Sequence, residues 1–296
     1  ACPYRFYLRH VLKLSPVDDS SRELAANQFG DLIHNSLEIF GNSPAKDSNN
    51  RKVIEEAMMA ALDEFAAAYL GPSPAPAVKL QIEQARQRLR HVATRQAQWR
   101  NLGWHIWKVE ASVGEKDNAG IDVDNKRMLI RGRFDRIDQH DDGRWAILDY
   151  KTHGHHPRKK HIEKTADGFR WIELQLPIYR LMIPYLVGQE VNPKEVILGY
   201  FNVSEKESET KINEADFTDA EFAAADDLIV QCVRSIRAGR FEPTSEPVLY
   251  DDYSMIMQSE IAEQLFDSDD GGGEDGYGEE GLAGGMFATR SFGGDE

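Results

Sequence analysis

Apolar side chains recur at helical spacing through the first third of the chain. They predict a helix over residues 23–40, a second over 51–70 and a third over 78–102. A polar stretch at 41–50 separates the first two helices, and three prolines within residues 71–77 end the second one. This region is therefore helical, with apolar faces that need a partner to pack against.

Alternation of apolar and polar residues replaces the helical pattern from Trp104 onward. It predicts three strands, over residues 104–113, 128–138 and 144–151, and an apolar run predicts a fourth over 195–203. The turn Asp141-Asp142-Gly143 joins the second and third strands, and Glu110 lies on the first, where it could face a site. Helices are predicted over residues 171–187 and 218–237. Strands mixed with helices indicate an α/β fold.

Two carboxylates and a lysine are predicted to meet where the third strand ends. Side chains alternate between the two faces of a strand, so Asp149 and Lys151 point to the same face. Asp135 lies on the neighbouring strand and can reach the same place. The set fits a divalent-metal site with a catalytic lysine. It also fits salt bridges on a solvated hairpin, and the three residues alone leave both interpretations open.

The charge of the chain is acidic but unevenly distributed. Of its 296 residues, 50 are Asp or Glu and 35 are Lys or Arg, which gives a net charge of −15. This value argues against a general nucleic-acid binder. Residues 267–296 hold nine acids and one arginine, however, so this segment alone contributes −8. Low complexity and many glycines predict a disordered acidic tail over residues 258–296.

Cysteine content and hydropathy bear on the cellular compartment in which the protein is expected. Two cysteines, Cys2 and Cys232, do not make a disulfide framework, and no apolar run is long enough to span a bilayer. We expect a cytoplasmic protein with no membrane partner. The sequence begins at Ala1 rather than at an initiator Met, which gives the hypothesis that it is a fragment of a longer protein.

Two basic stretches are candidate contacts for a phosphate backbone. Five arginines lie within the predicted helix over 78–102, and four histidines and four Lys or Arg residues lie within 153–164. The side chains singled out as nucleic-acid contacts are Arg88, Arg95, Arg158, Lys159 and Lys160. Both stretches also fit ordinary solvated surfaces, and the histidine spacing matches no compact zinc pattern.

Five blocks of sequence follow one another in the order of a known nuclease family. The blocks are CPYRFYLR from Cys2, FGDLIHNSLE around His34, GRFDRID around Asp135, LDYK ending at Lys151 and ELQLPIY ending at Tyr179. Together they resemble the PD-(D/E)XK nuclease superfamily, and more closely its RecB-like and AddB-like nuclease domains. A lone D-X-K pattern carries little weight, whereas five blocks on the expected elements are a strong signal.

The resemblance implies a fold and an activity. The fold is a restriction-endonuclease-like core with a central mixed β-sheet flanked by helices. We expect this nuclease domain over residues 1–257, with a helical insertion at 41–102. The activity is that of a metal-dependent DNA nuclease, either an exonuclease or an endonuclease. It would act in repair and recombination on single strands or ends, together with helicase domains or subunits. The alternative is a non-catalytic DNA-binding or scaffolding module, and RNA is a further candidate substrate.

The resemblance also implies a role for each site residue. The predicted ligands of Mg²⁺ or Mn²⁺ are His34, Asp135, Asp149 and the Tyr150 carbonyl. The predicted catalytic residues are Asp135, Asp149, Lys151, Gln175 and Tyr179. Among these, Lys151 would position or deprotonate the attacking water, and Gln175 and Tyr179 would contact DNA or brace the site. Arg133 is a further predicted DNA contact. Phosphodiester hydrolysis needs a Lewis acid, an activated water and a cation for the developing charge.

One feature of the resembling nucleases is absent from the sequence. AddB-like members hold an iron–sulfur cluster on four cysteines, one near the start of the domain and three near its end. Cys2 matches the first, but residues 241–255 contain no cysteine and Cys232 lies on a predicted helix. A cluster held by four thiolates cannot form from two cysteines, so we expect none.

Overall fold

Three long helices precede the sheet in the computed structural model, which describes Tyr7, Val11 and residues 23–166 and 168–241. They are α1 at Ala26–Gly41, α2 at Arg51–Leu70 and α3 at Pro76–Asn101. The Asn50 side chain caps α2, and Pro76 opens α3 where a backbone N–H has no helical partner anyway. The predicted helices are therefore present, with ends displaced by at most a few residues.

A five-stranded mixed sheet forms the centre of the described fold. Its strands are β1 at Trp104–Val113, β4 at Gly132–His140, β5 at Trp145–Lys151, β8 at Ile197–Asn202 and β9 at Ile212–Glu214. They lie in the order β1-β4-β5-β8-β9, with β5 and β8 parallel and the other neighbours antiparallel. The predicted α/β fold with a central mixed sheet flanked by helices is confirmed.

The crossover between the parallel strands β5 and β8 contains a hairpin and several helices. In order, these are α4 at Pro157–His161, β6 at Ile162–Thr165, β7 at Gly168–Trp171, α5 at Gln175–Met182 and α6 at Pro184–Val187. The remaining elements are the hairpin of β2 at Gly120–Val123 with β3 at Lys126–Leu129, and the helix α7 at Asp219–Arg237. Parallel neighbours require a long crossover, and this one places α5 against the sheet.

Helices cover both faces of the sheet and create two cores. Leu148 and Tyr150 of β5 are buried with residues of α1, α2 and α3 in what we name the helix-side core. Ile147, on the opposite face of β5, is buried with Leu176 and Met182 of α5 in the α5-side core. Alternation along a strand explains this division, and it leaves Asp149 and Lys151 on the α5 side.

Some predicted elements differ from the observed ones. Residues 114–127, between the first two predicted strands, contain β2 and the start of β3, and the His-rich stretch at 153–164 contains α4 and continues into β6. The helix predicted over 171–187 begins only at Gln175 and is divided at Ile183, because Trp171 belongs to β7. Pro177 falls in the first turn of α5, where helices tolerate proline.

Backbone contacts divide the chain into residues 1–248 and residues 249–296, and every described residue belongs to the first unit. The predicted block that begins at Cys2, apart from Tyr7, and the predicted acidic tail over 258–296 lie outside the described residues. Among the helices that the structure describes, none has the length and hydrophobicity needed to cross a membrane.

Candidate active site

The end of β5 presents a carboxylate and a lysine to the first residue of α5. Lys151 Nζ lies 2.6 Å from Asp149 Oδ2. Gln175 Nε2 donates a hydrogen bond of 2.7 Å to Asp149 Oδ1, and its Oε1 accepts one of 3.3 Å from Lys151. Asp149 is almost fully buried, at 2% exposure. Both of its oxygens are therefore held by partners, and the Lys151 ammonium is fixed in direction.

His34 approaches the same strand end from α1. Its Nε2 lies 3.1 Å from the Tyr150 carbonyl oxygen, and its Nδ1 lies 3.4 Å from Asp135 Oδ2. Because a carbonyl oxygen only accepts, we infer that Nε2 carries the proton in the neutral ring. The Nδ1 lone pair then faces the carboxylates, as metal-binding histidines are typically oriented. The Tyr150 N–H donates to Asp135 Oδ2 at 2.9 Å, which holds that carboxylate in place.

Glu110 reaches the site because β1 is kinked at this residue. Its φ is +48°, a left-handed value that residues other than glycine rarely adopt. Val109 belongs to the helix-side core and Ala111 to the α5-side core, although residues two apart on a regular strand share a face. The strand register on either side sets Glu110 opposite Asp135 of β4. The kink therefore turns a strand glutamate toward the carboxylate of the neighbouring strand.

These contacts bring together ligand atoms that suit a divalent ion. In the described part of the chain, one group of His, Cys, Asp and Glu side chains has ligand atoms within 4.8 Å of one another, and it comprises His34, Glu110 and Asp135. One nitrogen and carboxylate oxygens fit Mg²⁺ or Mn²⁺ in chemical type. Arg133 Nε contacts Glu110 Oε2 at 2.8 Å. Asp149 stands beside this group and is held by Lys151 rather than belonging to it.

Burial and the proximity of other negative charges shift the pKa values of two acids in the site. Burial, with a further contribution from Asp135, raises the pKa of Glu110 to about 7. Burial and Asp135 likewise raise the pKa of Asp149 to about 6. Burial disfavours the charged form of Lys151, but the attraction and hydrogen bond of Asp149 outweigh it and raise the lysine pKa. Without a bound cation, the ionised forms of Glu110 and Asp149 are therefore disfavoured, and the Lys151 ammonium stays charged at neutral pH.

Gln175 and Tyr179, one turn apart on α5, connect the site to β4. Gln175 Nε2 lies 3.1 Å from the Tyr179 hydroxyl, which donates to the Arg133 carbonyl at 2.8 Å. Tyr179 is buried, and its ring packs 4.7 Å from that of Phe134. This geometry makes Tyr179 a brace between α5 and β4, whereas Gln175 contacts the reactive groups themselves.

Two residues next to Lys151 were not among the predicted site residues. The ring of Tyr200 lies 5.3 Å from Lys151 Nζ, and its hydroxyl lies 2.8 Å from His161 Nε2. His161 Nδ1 faces the Glu173 carbonyl at 2.9 Å, so that nitrogen donates and Nε2 accepts from Tyr200. Burial lowers the pKa of His161 and keeps the ring neutral. Tyr200 lies on an apolar strand, where its sequence context indicates only core packing.

The predicted nucleic-acid contacts divide into engaged and exposed side chains. Arg88 donates to the Thr152 carbonyl at 2.9 Å, and Arg95 donates to the Thr210 carbonyl at 2.8 Å. Arg158 forms an ion pair with Glu221. The remaining predicted contacts are Arg133, which is exposed although paired with Glu110, and the exposed Lys159 and Lys160. Arg88 and Arg95 hold α3 to loops beside the sheet, so DNA contact by these two arginines stays a prediction.

A family model now adds evidence of a different kind. The model of the PD-(D/E)XK nuclease superfamily matches residues 1–247, most of the chain. The chain belongs to this superfamily. Within the superfamily pattern, Asp149-Tyr150-Lys151 reads as D-X-K at the end of β5. The membership agrees with the observed sheet and with the convergence of carboxylates and a lysine at its end.

Comparisons outside the superfamily model are less informative. No curated protein matches the chain. Among solved structures, the chain is similar to one described as "Crystal structure of SSO0001", with 16% sequence identity and a TM-score of 0.30. That match covers 86% of this chain and 93% of the other.

Proposed function

We propose that the chain is a metal-dependent deoxyribonuclease that hydrolyses phosphodiester bonds at the end of β5. The observation that supports this most directly is the meeting of His34, Glu110 and Asp135 beside the Asp149–Lys151 pair. The first three residues would hold the ion, and Asp149 would join them as a ligand by giving up one of its present contacts. When bound, Mg²⁺ or Mn²⁺ supplies a Lewis acid for the phosphate and a stronger water nucleophile.

The protein's own residues would supply the remaining chemistry. Lys151 stays protonated at neutral pH, which favours the positioning of water and the neutralisation of phosphate charge over proton abstraction. Gln175 would keep the ammonium aligned, and Tyr179 would brace α5. The His34 Nε2–H bond to the Tyr150 carbonyl would hold the imidazole in its binding orientation, which competes with a direct ligand role for that carbonyl.

The biological setting is inferred from the sequence blocks. We infer a RecB-like nuclease domain over residues 1–257, with α2 and α3 as its helical insertion within 41–102 and a separate acidic tail. Such a domain would act in DNA repair or recombination, on single strands or ends delivered by helicase domains or subunits. Low cysteine content supports a cytoplasmic setting.

The first prediction tests the site with labelled single- and double-stranded DNA and RNA in Mg²⁺ or Mn²⁺. Asp149→Ala and Lys151→Ala should each slow cleavage by about 100-fold or more, because each removes a group from the reacting centre. Lys52→Ala, an exposed lysine on α2, should leave the rate unchanged. Circular dichroism should show the same fold in every variant.

Two results would count against the proposal in different ways. Metal-dependent cleavage that survives in both Asp149→Ala and Lys151→Ala would show that the reacting residues are elsewhere. The lack of cleavage of every substrate by the unaltered chain would favour a DNA-binding or scaffolding module instead.

A further inference from the structure

A short stretch after β5 has a charge opposite to that of the chain. Residues 152–172 contain five Lys or Arg residues and two acids, a net charge of +3 in a chain whose net charge is −15. The stretch comprises α4 and the β6–β7 hairpin. A local positive patch on an acidic protein attracts phosphate groups while the rest of the surface repels them.

The base and the outer part of the β6–β7 hairpin have different surroundings. On one face, Ile162 pairs with Trp171 at the base, and both are buried against Ala225 of α7. On the same face, two residues further along, Lys164 pairs with Phe169 and both are exposed. Phe169 is 39% exposed. The base of the hairpin is therefore anchored, and its outer part presents an aromatic ring and an ammonium side by side.

A cavity of about 570 Å³ lies next to this exposed pair. Its lining includes Lys159 and His156 from the α4 region, Lys164 and Phe169 from the hairpin, and Glu221. Glu221 is held by Arg158 and by the start of α7. Among the described residues, no carboxylate lies within ion-pair distance of Lys159 or Lys164. The cavity thus offers an aromatic face and two ammonium groups, neither of which is paired with a carboxylate of the described residues.

The cavity is connected to the catalytic lysine through a few direct contacts. His161, the last residue of α4, lies 2.8 Å from the hydroxyl of Tyr200, whose ring lies beside Lys151. The chain leaving β7 passes Glu173, which accepts from His161, and reaches Gln175 within the site. The base of the hairpin therefore lies next to the side of the candidate site that contains Lys151.

We propose that this cavity binds a single-stranded DNA segment that continues into the site, an inference that rests on the proposed nuclease function. Lys159 and Lys164 bind phosphates, and Phe169 stacks on one base. Bases in a duplex are already stacked on each other and cannot cover a protein side chain, so the aromatic ring selects unpaired DNA. The phosphate contacts add affinity that depends on salt but not on sequence.

The test measures binding of fluorescent oligo(dT) and of a blunt duplex by the full chain in EDTA, where no metal-dependent cleavage occurs. Phe169→Ala should weaken single-strand binding by about 5- to 100-fold, the range typical of one stacked base, and leave duplex binding unchanged. Phe169→Trp should bind single strands within about threefold of the unaltered chain, because it keeps an aromatic face.

The phosphate contacts have a matched pair of variants. Lys164→Gln should reduce the slope of log affinity against log salt by about 0.7, the value for one phosphate contact on a single strand. Lys194→Gln, on the turn Pro193–Glu195, should not change the slope. Unchanged single-strand affinity in Phe169→Ala, equal losses for single strand and duplex, or binding of oligo(U) but not oligo(dT) would each overturn the proposal. If the chain cleaves nothing yet Phe169→Ala still loses single-strand affinity, the nuclease assignment fails and this binding site stands.

Discussion

A single backbone angle at Glu110 completes the candidate metal group. Its φ of +48° costs on the order of 1 kcal/mol, because the side chain crowds the backbone in this conformation. In return, the carboxylate faces Asp135 and His34, and Arg133 contacts it at 2.8 Å. A carboxyl group with a pKa of about 7 can hold a proton, a guanidinium or a metal ion near neutral pH. This residue would therefore couple metal binding at the candidate site to pH.

The pKa of Glu110 gives a prediction about metal affinity. Below about pH 7 the carboxyl group is protonated in the metal-free protein, and an arriving ion must displace that proton. Mn²⁺ affinity should therefore rise by about fivefold from pH 6 to pH 7 and by less than about twofold above pH 7. Titration calorimetry at several pH values measures this rise.

Two glutamine variants distinguish an effect of Glu110 on metal affinity from a general effect of removing an acid. Glu110→Gln should bind Mn²⁺ more weakly at pH 8 and lose most of the rise, because it has no proton to release. Glu115→Gln, on the exposed turn Glu115–Asp117, should behave as the unaltered chain. A rise that persists undiminished in Glu110→Gln would show that another group takes up the proton.

At the scale of elements, strong periodicity made most of the central fold predictable. The β4–β5 hairpin followed from alternation and an Asp-Asp-Gly turn, and α1 followed from its apolar stripe. The β6–β7 hairpin was missed because only Ile162 and Trp171 anchor it, and two apolar positions do not make a pattern. The kink in β1 was missed for a related reason, since alternation predicts a strand but not its irregularities.

The candidate site was predictable where sequence blocks carried it. Strand alternation put Asp149 and Lys151 on one face with Asp135 in reach, and the resemblance added His34. The structure brings these four residues to one strand end. Tyr200 was not predicted because an apolar strand gives no sign that one of its rings faces a lysine. The role of Tyr200 depends on His161 of α4, which is distant in the sequence. Such a role can be recognised only from the tertiary fold.

Tyr200 leads to a prediction about how α4 and β8 support Lys151. Tyr200→Phe keeps the ring beside the ammonium but leaves the buried Nε2 of His161 without its donor. It should lower the free energy of unfolding by about 1–3 kcal/mol, the usual cost of an unsatisfied buried group, while cleavage changes less than about threefold. Urea unfolding and initial cleavage rates measure the two effects.

The paired variant Tyr200→Leu also removes the aromatic face. Because the Lys151 ammonium then loses its ring contact, cleavage by folded protein should fall by roughly tenfold. Its Mn²⁺ affinity should stay unchanged, since Tyr200 is not in the metal group. Equal cleavage rates in the two variants would show that the ring does not position the lysine.

At the scale of the whole molecule, charge is segregated along the chain. Residues 267–296 carry −8 of the total −15, while residues 152–172 carry +3. Arg88 and Arg95 of α3 are bound to loop carbonyls, whereas Lys159, Lys160 and Lys164 of the 152–172 stretch are exposed. Opposite charges on one chain attract within about a Debye length, roughly 10 Å at 0.1 M salt. The acidic segment and a DNA strand are therefore expected to compete for the same cations.

Removal of residues 267–296 tests this competition. The shortened chain should bind oligo(dT) several-fold more tightly at about 50 mM salt, and the difference should shrink at about 300 mM as both attractions are screened. A full-length variant with the nine acids changed to Ser or Gln should match the deletion, because charge rather than length is responsible. If the deletion tightens binding and the neutral full-length segment does not, steric obstruction replaces the electrostatic explanation. If neither change alters affinity at low salt, the acidic segment does not reach the DNA-binding surface.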